Sequence, residues 1–81
     1  MAYDPTLFEQ LRTWRRERAD REGKKAFHVF TDTTLQSIAA AQPQTLDELQ
    51  AVKGVGPKKL EQFGQAVLDV TRNESEEGDT S

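Results

Sequence analysis

The sequence predicts an all-α fold, a compact bundle of four to five short helices followed by a disordered acidic tail. Apolar residues recur at helical spacing over most of the chain, and proline or glycine stands where the predicted helices begin or end. An alternating apolar pattern occurs only in the short segment FHVF, residues 27–30. We therefore predict one helical domain over residues 1–72 and a disordered tail over residues 73–81.

The first helix is predicted over residues 5–22. Asp4 can cap the free amides of its first turn, and Pro5 suits the first helical position. Gly23 is expected to end the helix. Its apolar stripe, at i, i+4 and i+7, consists of Leu7, Leu11 and Trp14.

Two shorter helices follow a connection in which Val29 and Phe30 are expected to turn inward. The second helix is predicted to start at residues 31–32 and to end near Pro43, because the residue before a proline avoids the α region. Thr45 and Glu48 fit a capping box, in which the glutamate reaches back to the amide of residue 45. The apolar side of this third helix is predicted to consist of Leu46, Leu49 and Val52, before the helix ends at Gly54.

The last helix is predicted to start at Pro57. Gly64 lies within its apolar face and suggests the close approach of another backbone. The face consists of Leu60, Phe63, Gly64, Val67, Leu68 and Thr71.

Composition excludes several classes of protein. Without cysteine, the chain has neither disulfides nor a thiolate metal site. No apolar run is long enough to span a membrane and no signal peptide is evident, so we expect a soluble, intracellular monomer, cytoplasmic (nucleoid-associated in a bacterium) or nuclear. His28 is the only histidine, and nothing pairs it with a nucleophile. We predict no catalytic residue, no metal site and no cofactor.

The charge of the chain is unevenly distributed. The net charge of −3 argues against a nucleic-acid partner, but four of the fourteen acids lie in the predicted tail. Residues 9–25 carry seven basic and four acidic side chains. Pairing at i, i+4 (Glu17 with Arg21, Arg16 with Asp20, Arg18 with Glu22) can neutralise much of this basic charge.

The segment VKGVGPKK, residues 52–59, is either a tight joint between two helices or also a cradle for a phosphate. Glycines allow close approach of a ligand, and the free amides and dipole of a helix that starts at a proline attract an anion. Lysines beside such a start would act as point charges. The candidate contacts with a nucleic-acid backbone are Lys53, Gly54, Gly56, Lys58 and Lys59.

A second candidate site is Lys24, Lys25 and Phe27, which follow the first helix. These lysines are less compensated by acids than the arginines before them. An exposed aromatic beside cations can stack on an unpaired base. The other interpretation of Phe27, as a core residue, remains open at this level.

Three segments together resemble the HRDC domain, the helicase-and-RNase-D C-terminal module. They are LFEQLRTWRRERADREG, AFHVFTDTTLQSIAAAQP and TLDELQAVKGVGPKKLEQFGQAVLDV, and they cover about residues 6–71. The resemblance implies a five-helix bundle without catalytic activity of its own, most often an accessory module of a RecQ-family DNA helicase. The turn at residues 54–56 is similar to that of helix-hairpin-helix motifs, which meet phosphates through backbone amides.

Two features depart from the family pattern. Phe27 stands where related modules often carry a tyrosine, so stacking is retained and a hydroxyl contact is not. The overall acidity is unusual for a dedicated DNA-binding module.

The leading hypothesis is a nucleic-acid-binding accessory domain of a RecQ-type helicase that binds single-stranded or branched DNA weakly and contacts the helicase core of its parent. The alternative is an acidic interaction module that docks on the parent helicase or a partner protein and modulates DNA binding. The parent could also be a UvrD-like helicase or an RNase D-type exonuclease.

Overall fold

The computed structural model describes the backbone of residues 3–76 and the side chains of residues 3–72. This part of the chain contains five helices and no strand, which confirms the predicted fold class. The helices are α1 (Pro5–Glu22), α2 (Ala26–Val29), α3 (Asp32–Ala41), α4 (Leu46–Gln50) and α5 (Pro57–Glu76). None of the described helices is long and apolar enough to cross a membrane.

Helix α1 has the predicted bounds. The carboxylate of Asp4 accepts hydrogen bonds from the amides of Thr6 (2.9 Å) and Leu7 (3.3 Å). Gly23 ends the helix in the left-handed region, with φ of 68°. Both ends of α1 are therefore fixed by the residue types that the sequence places there.

The connection that follows α1 contains one helical turn, α2. Val29 and Phe30 turn inward as predicted and are buried. Thr31 then caps α3 by accepting from the amide of Thr34 at 3.2 Å. Helix α3 ends at Ala41, one residue before the left-handed Gln42 and two before Pro43.

Two details of the third predicted helix are corrected. Thr45 caps α4 as expected, but the carboxylate of Glu48 accepts from the amide of Gln44 (2.8 Å), not from that of Thr45. The helix ends at Gln50 rather than at Gly54, because two tight turns, closed by hydrogen bonds from Val52 and Val55, carry the chain onward.

Helix α5 starts at Pro57 and buries most of its predicted face. Leu60, on the same face, is half-buried. At Gly64 the close neighbour is a side chain, not a backbone. A Cβ at this position would lie 3.0 Å from Leu46 Cδ2, and Leu46 itself is largely exposed, contrary to the prediction.

Three aromatic rings join α1, the α2–α3 connection and α5 in the core. Trp14 lies 6.1 Å from Phe30 and 6.0 Å from Phe63, and the two phenylalanines are 5.7 Å apart between ring centroids. Such tilted and edge-to-face pairs stabilise a core beyond the burial of their area. The predicted structural role of Trp14 is confirmed.

Arg15 of α1 is a buried charged residue that the sequence did not single out. Its guanidinium donates to the carbonyl oxygen of Phe30 at 2.9 Å and contacts the carboxylate of Asp32 at 2.7 Å. It falls four residues after Leu11 and four before Ala19, both buried. That spacing is the signal that could have placed it on the core-facing side of α1.

The boundary between the domain and the predicted acidic tail stays a prediction. Helix α5 continues past Arg72 to Glu76, so its last turn extends beyond the predicted boundary. The rest of the predicted tail, residues 77–81, lies outside the described residues.

The two glycines of the turn before α5 should respond differently to substitution. Gly54 has φ of 97° and a Cβ there would collide with the Thr34 hydroxyl, whereas a Cβ on Gly56 would meet no heavy atom within 4 Å. We expect Gly54→Ala to lower the free energy of unfolding by about 2 kcal/mol or more. Gly56→Ala should leave it unchanged or raise it by up to about 1 kcal/mol. Urea denaturation followed by circular dichroism measures both, and equal losses would contradict this account of the turn.

Candidate nucleic-acid interface

Phe27 lies on the surface of the domain. Its side chain is 60% exposed, and among the described residues the other large exposed hydrophobic is Leu46. Because α2 is a single turn that buries Val29, Phe27 points to the opposite side. Its ring packs edge-on against His28, with 4.5 Å between centroids. The structure thus places Phe27 outside the core, with more than half of its side chain accessible to a ligand.

The two lysines before Phe27 differ in their surroundings. The ammonium group of Lys24 lies 3.3 Å from the carboxylate of Glu22. The prediction that an acid compensates Lys24 less than the arginines of α1 is therefore wrong. The side chain of Lys25 is exposed and has no ion-pair partner in the described part of the chain. Lys25 is therefore the free cation beside the exposed aromatic.

Glu22 is the carboxylate that organises the end of α1. It accepts a hydrogen bond from Arg18 Nε at 2.5 Å and also contacts the ammonium group of Lys24. Of the three i, i+4 ion pairs predicted on α1, this pair of Arg18 with Glu22 is the one that forms. The hydrogen bond from Arg18, followed by that from Lys24, lowers the pKa of Glu22 below its ordinary value.

The turn at residues 53–57 presents unpaired backbone amides. Three amides here donate to no acceptor within residues 3–76, those of Gly56, Lys58 and Lys59. The first amide of α5 that has a partner is that of Leu60, which donates to the Gly56 carbonyl at 2.9 Å. The first turn of a helix leaves such donors free for an anion. The open space beside Gly56 lets a ligand approach them.

The three lysines of this turn take different positions. Lys53 and Lys58 are exposed. Lys59 is half-buried, and its ammonium group donates to the carbonyl oxygen of His28 and lies 5.8 Å and 5.6 Å from the ring centroids of Phe30 and Phe63. Burial, followed by the charge of Lys24, lowers the pKa of Lys59. Lys58 is thus the lysine at the start of α5 whose charge faces solvent.

The contact between Lys59 and His28 brings the two sequence-predicted segments together. It joins the first turn of α5 to α2, so that Lys24, Lys25, Phe27, Lys58 and Lys59 lie on neighbouring parts of one surface. We call this set the α2–α5 surface. Gly54 packs on Thr34 of α3 instead, and nothing described connects Lys53 to Phe27.

Arg18 supports this surface from α1 and was missed as a site-forming residue. Its guanidinium lies 4.9 Å from the Phe63 centroid and donates to the carbonyl oxygen of Gln62 at 3.3 Å. Arg18 lies seven residues after the buried Leu11, on the same side of α1, so its stem covers part of the core. The contact with α5 could not be found from spacing along α1.

The described residues contain no group of three histidine or acidic side chains that could hold a metal ion. His28, exposed on α2, packs against Phe27. The arrangement consists of an aromatic face, exposed cations and free amides, which can stack on a base and contact phosphates.

Comparison with known proteins identifies the family. The family model described as "HRDC domain" matches residues 4–71. The chain belongs to the HRDC domain family. A solved structure, the third HRDC domain of RecQ from Deinococcus radiodurans, superposes with a TM-score of 0.81 at 46% identity, covering 84% of this chain and 90% of that one.

Longer relatives carry this HRDC domain as a small part of a helicase. The ATP-dependent DNA helicase RecQ of Pasteurella multocida is 44% identical over 68 residues, which are 84% of this chain and 11% of that protein. The ATP-dependent DNA helicase UvrD2 of Mycobacterium bovis is 42% identical over 69 residues, 85% of this chain and 10% of that protein. The chain thus spans about a tenth of the length of these relatives.

The ion pairs around Glu22 give the HRDC domain a testable pH response. Because the folded-state pKa of Glu22 is lowered, its contribution to stability is present above the unfolded value and is lost as the pH falls through the folded value. NMR titration of the Glu22 carboxyl should give a midpoint below about 4.3, the ordinary pKa of glutamate. Arg18→Gln should raise this midpoint more than Lys24→Gln, and identical midpoints in all three proteins would contradict the assignment.

Proposed function

We propose that this HRDC domain is a non-catalytic accessory module of a RecQ-type DNA helicase that binds single-stranded or branched DNA through the α2–α5 surface. The observation that carries the proposal is the exposed ring of Phe27 close in the chain to the unpaired Lys25. Among the described residues, Leu46 is the other large apolar side chain that is exposed. An aromatic face next to a cation suits an unpaired base followed by its phosphate.

The turn before α5 supports a second contact of the same ligand. The free amides of Gly56, Lys58 and Lys59 lie in the first turn of the helix that Lys59 ties to α2. A phosphate bound there would contact backbone amides and the exposed Lys58, which positions a strand without reading its sequence. Because the whole chain has a net charge of −3, we expect weak binding, and it should fall steeply as the salt concentration rises.

The stacking contact is tested by paired substitutions of Phe27. We expect Phe27→Ala to weaken binding of single-stranded oligothymidylate by about 5- to 150-fold, since base–aromatic stacking contributes about 1–3 kcal/mol. Phe27→Tyr keeps the ring and should bind like the unsubstituted domain. An NMR titration at low salt measures both affinities and shows which amides shift. Gly56→Ala, which should not impair folding, adds a methyl group above the free amides and should reduce the shifts at residues 56–59 if a phosphate lies there.

Equal affinities for the Ala and Tyr variants would contradict stacking on Phe27. Unchanged shifts in Gly56→Ala would remove the α5 start from the interface while leaving the stacking contact in place. Absence of any shift on the α2–α5 surface at millimolar oligonucleotide would overturn the proposed function.

The net charge of −3 favours a second candidate, an autoregulatory module that docks on the parent helicase or on another protein. In that case the separate domain gives no shifts with DNA, and deleting it from the parent changes or increases the DNA affinity of the rest. Filter-binding assays with and without the domain measure this difference. Unchanged DNA binding and unwinding after deletion would contradict the second candidate.

A further inference from the structure

A trough runs between α1 and the start of α2, outside the α2–α5 surface. Arginine dominates its walls. It is lined by Glu9, Arg12, Thr13, Arg15, Arg16 and Ala26. Four of these residues are charged side chains of α1, namely Glu9 and the three arginines. The sequence predicted none of the four as a contact with a ligand.

We propose that this trough binds the phosphate backbone of a nucleic-acid strand as the strand continues from Phe27, an inference that rests on the proposed function. It adds Arg12 and Arg16 to the interface and gives the bound strand a path along α1.

The three arginines differ in whether their guanidinium groups are free to bind a ligand, and this difference decides their roles. Arg15 is held by the Phe30 carbonyl and Asp32, so it adds positive charge to the wall without being free to move. Arg16 is exposed and has no ion-pair partner within the described residues; its predicted pair with Asp20 does not form. Arg16 is therefore ready to contact a ligand directly.

Arg12 lies over the Phe8 ring, 5.7 Å from its centroid, and its ion pair with Glu9 is loose. The two groups are 3.4 Å apart, and both side chains are about half or more exposed, 49% and 67%. Exposed pairs of this kind contribute little to stability and are readily exchanged for another anion. The contact with Glu9 is a single long hydrogen bond from one guanidinium nitrogen, whereas a phosphate can accept two parallel hydrogen bonds from the guanidinium.

The spacing of Arg12 and Arg16 favours an anion between them. Residues four apart lie on the same face of a helix one turn apart, where two like charges repel each other. A phosphate placed between the two guanidiniums would remove this repulsion and bond to both. Thr13 adds a hydroxyl donor to the same lining.

The trough reaches the helix that carries the stacking residue. Ala26, which lines it, is the first residue of α2 and lies between Lys25 and Phe27 in the chain. A base on Phe27 would thus leave its phosphate near Lys25, at the end of the trough. A run of acidic residues would match the arginines but has no aromatic ring to stack on Phe27, so the combination favours a nucleic-acid strand.

A charge-matched pair of variants tests the proposal by salt dependence. Arg16→Gln removes one proposed phosphate contact, and Arg21→Gln removes one exposed arginine that lies about 140° around α1 from Arg16. For oligothymidylate binding, Arg16→Gln should weaken affinity roughly five- to tenfold at 50 mM salt and reduce the slope of log K against log salt by about 0.7. Arg21→Gln should leave the slope unchanged.

Two further variants extend the test: one should increase the affinity, and the other should show the summed effect of two lost contacts. Glu9→Gln frees Arg12 and should tighten oligothymidylate binding. The double variant Arg12→Gln/Arg16→Gln should reduce the slope by about 1.4, twice the single effect. Thermal unfolding of each variant by circular dichroism confirms that the fold is kept, since both arginines are exposed.

The outcomes separate this proposal from the proposed function. If Phe27→Ala abolishes binding while Arg16→Gln and Arg21→Gln behave alike, the trough is not part of the interface, although the α2–α5 surface is. If the domain binds no oligothymidylate, both proposals fail. If a hexaglutamate peptide binds more tightly than oligothymidylate at the same salt, and Arg16→Gln weakens it, the trough is a peptide site and the proposal is overturned.

Discussion

The contact of Arg15 with Phe30 and Asp32 determines where the functional surface lies. A buried guanidinium needs partners, because leaving its charge unpaired away from water costs several kcal/mol. Here the partners are the carbonyl oxygen of Phe30 and the carboxylate of Asp32, both in the connection between α2 and α3. The connection is thereby fixed on α1. With Val29 and Phe30 directed inward, the one-turn α2 has Phe27 on its outer side.

The same connection is held from α5 by a second basic residue. Lys59 donates to the His28 carbonyl and lies near the rings of Phe30 and Phe63, while Arg18 covers Phe63 from α1. Cations near aromatic faces and backbone carbonyls stabilise such a junction. Two basic residues on α1 and one on α5 thus build the framework of the surface and are not its exposed ligands.

This use of basic residues explains how a chain with a net charge of −3 can still present a cationic face. Part of the positive charge that remains exposed belongs to the α2–α5 surface and the α1 trough, at Lys25, Lys58, Arg12 and Arg16. The electrostatic attraction for DNA is modest, and so is the proposed affinity. A module joined to a helicase motor needs little affinity of its own, because the linkage gives it a high effective concentration near the strand that the motor holds.

The sequence by itself determined four of the five described helices and most of their ends, because caps, prolines and apolar spacing act within a few residues of the chain. It did not predict α2 as a helix, and it placed the end of α4 at Gly54 instead of Gln50. Asp4, Gly23, Thr31, Thr45 and Pro57 all take their predicted places. It also indicated both candidate segments, since lysine, glycine and an aromatic residue side by side form a local signal. Only the tertiary structure decided that Phe27 is exposed, that Lys59 faces α2 and that Arg15 is buried. Each of these depends on a partner distant in the chain: α1 or α5 packed against residues 27–32. Spacing along one helix specifies which side chains share a face, but not which carbonyl or ring of another helix meets that face.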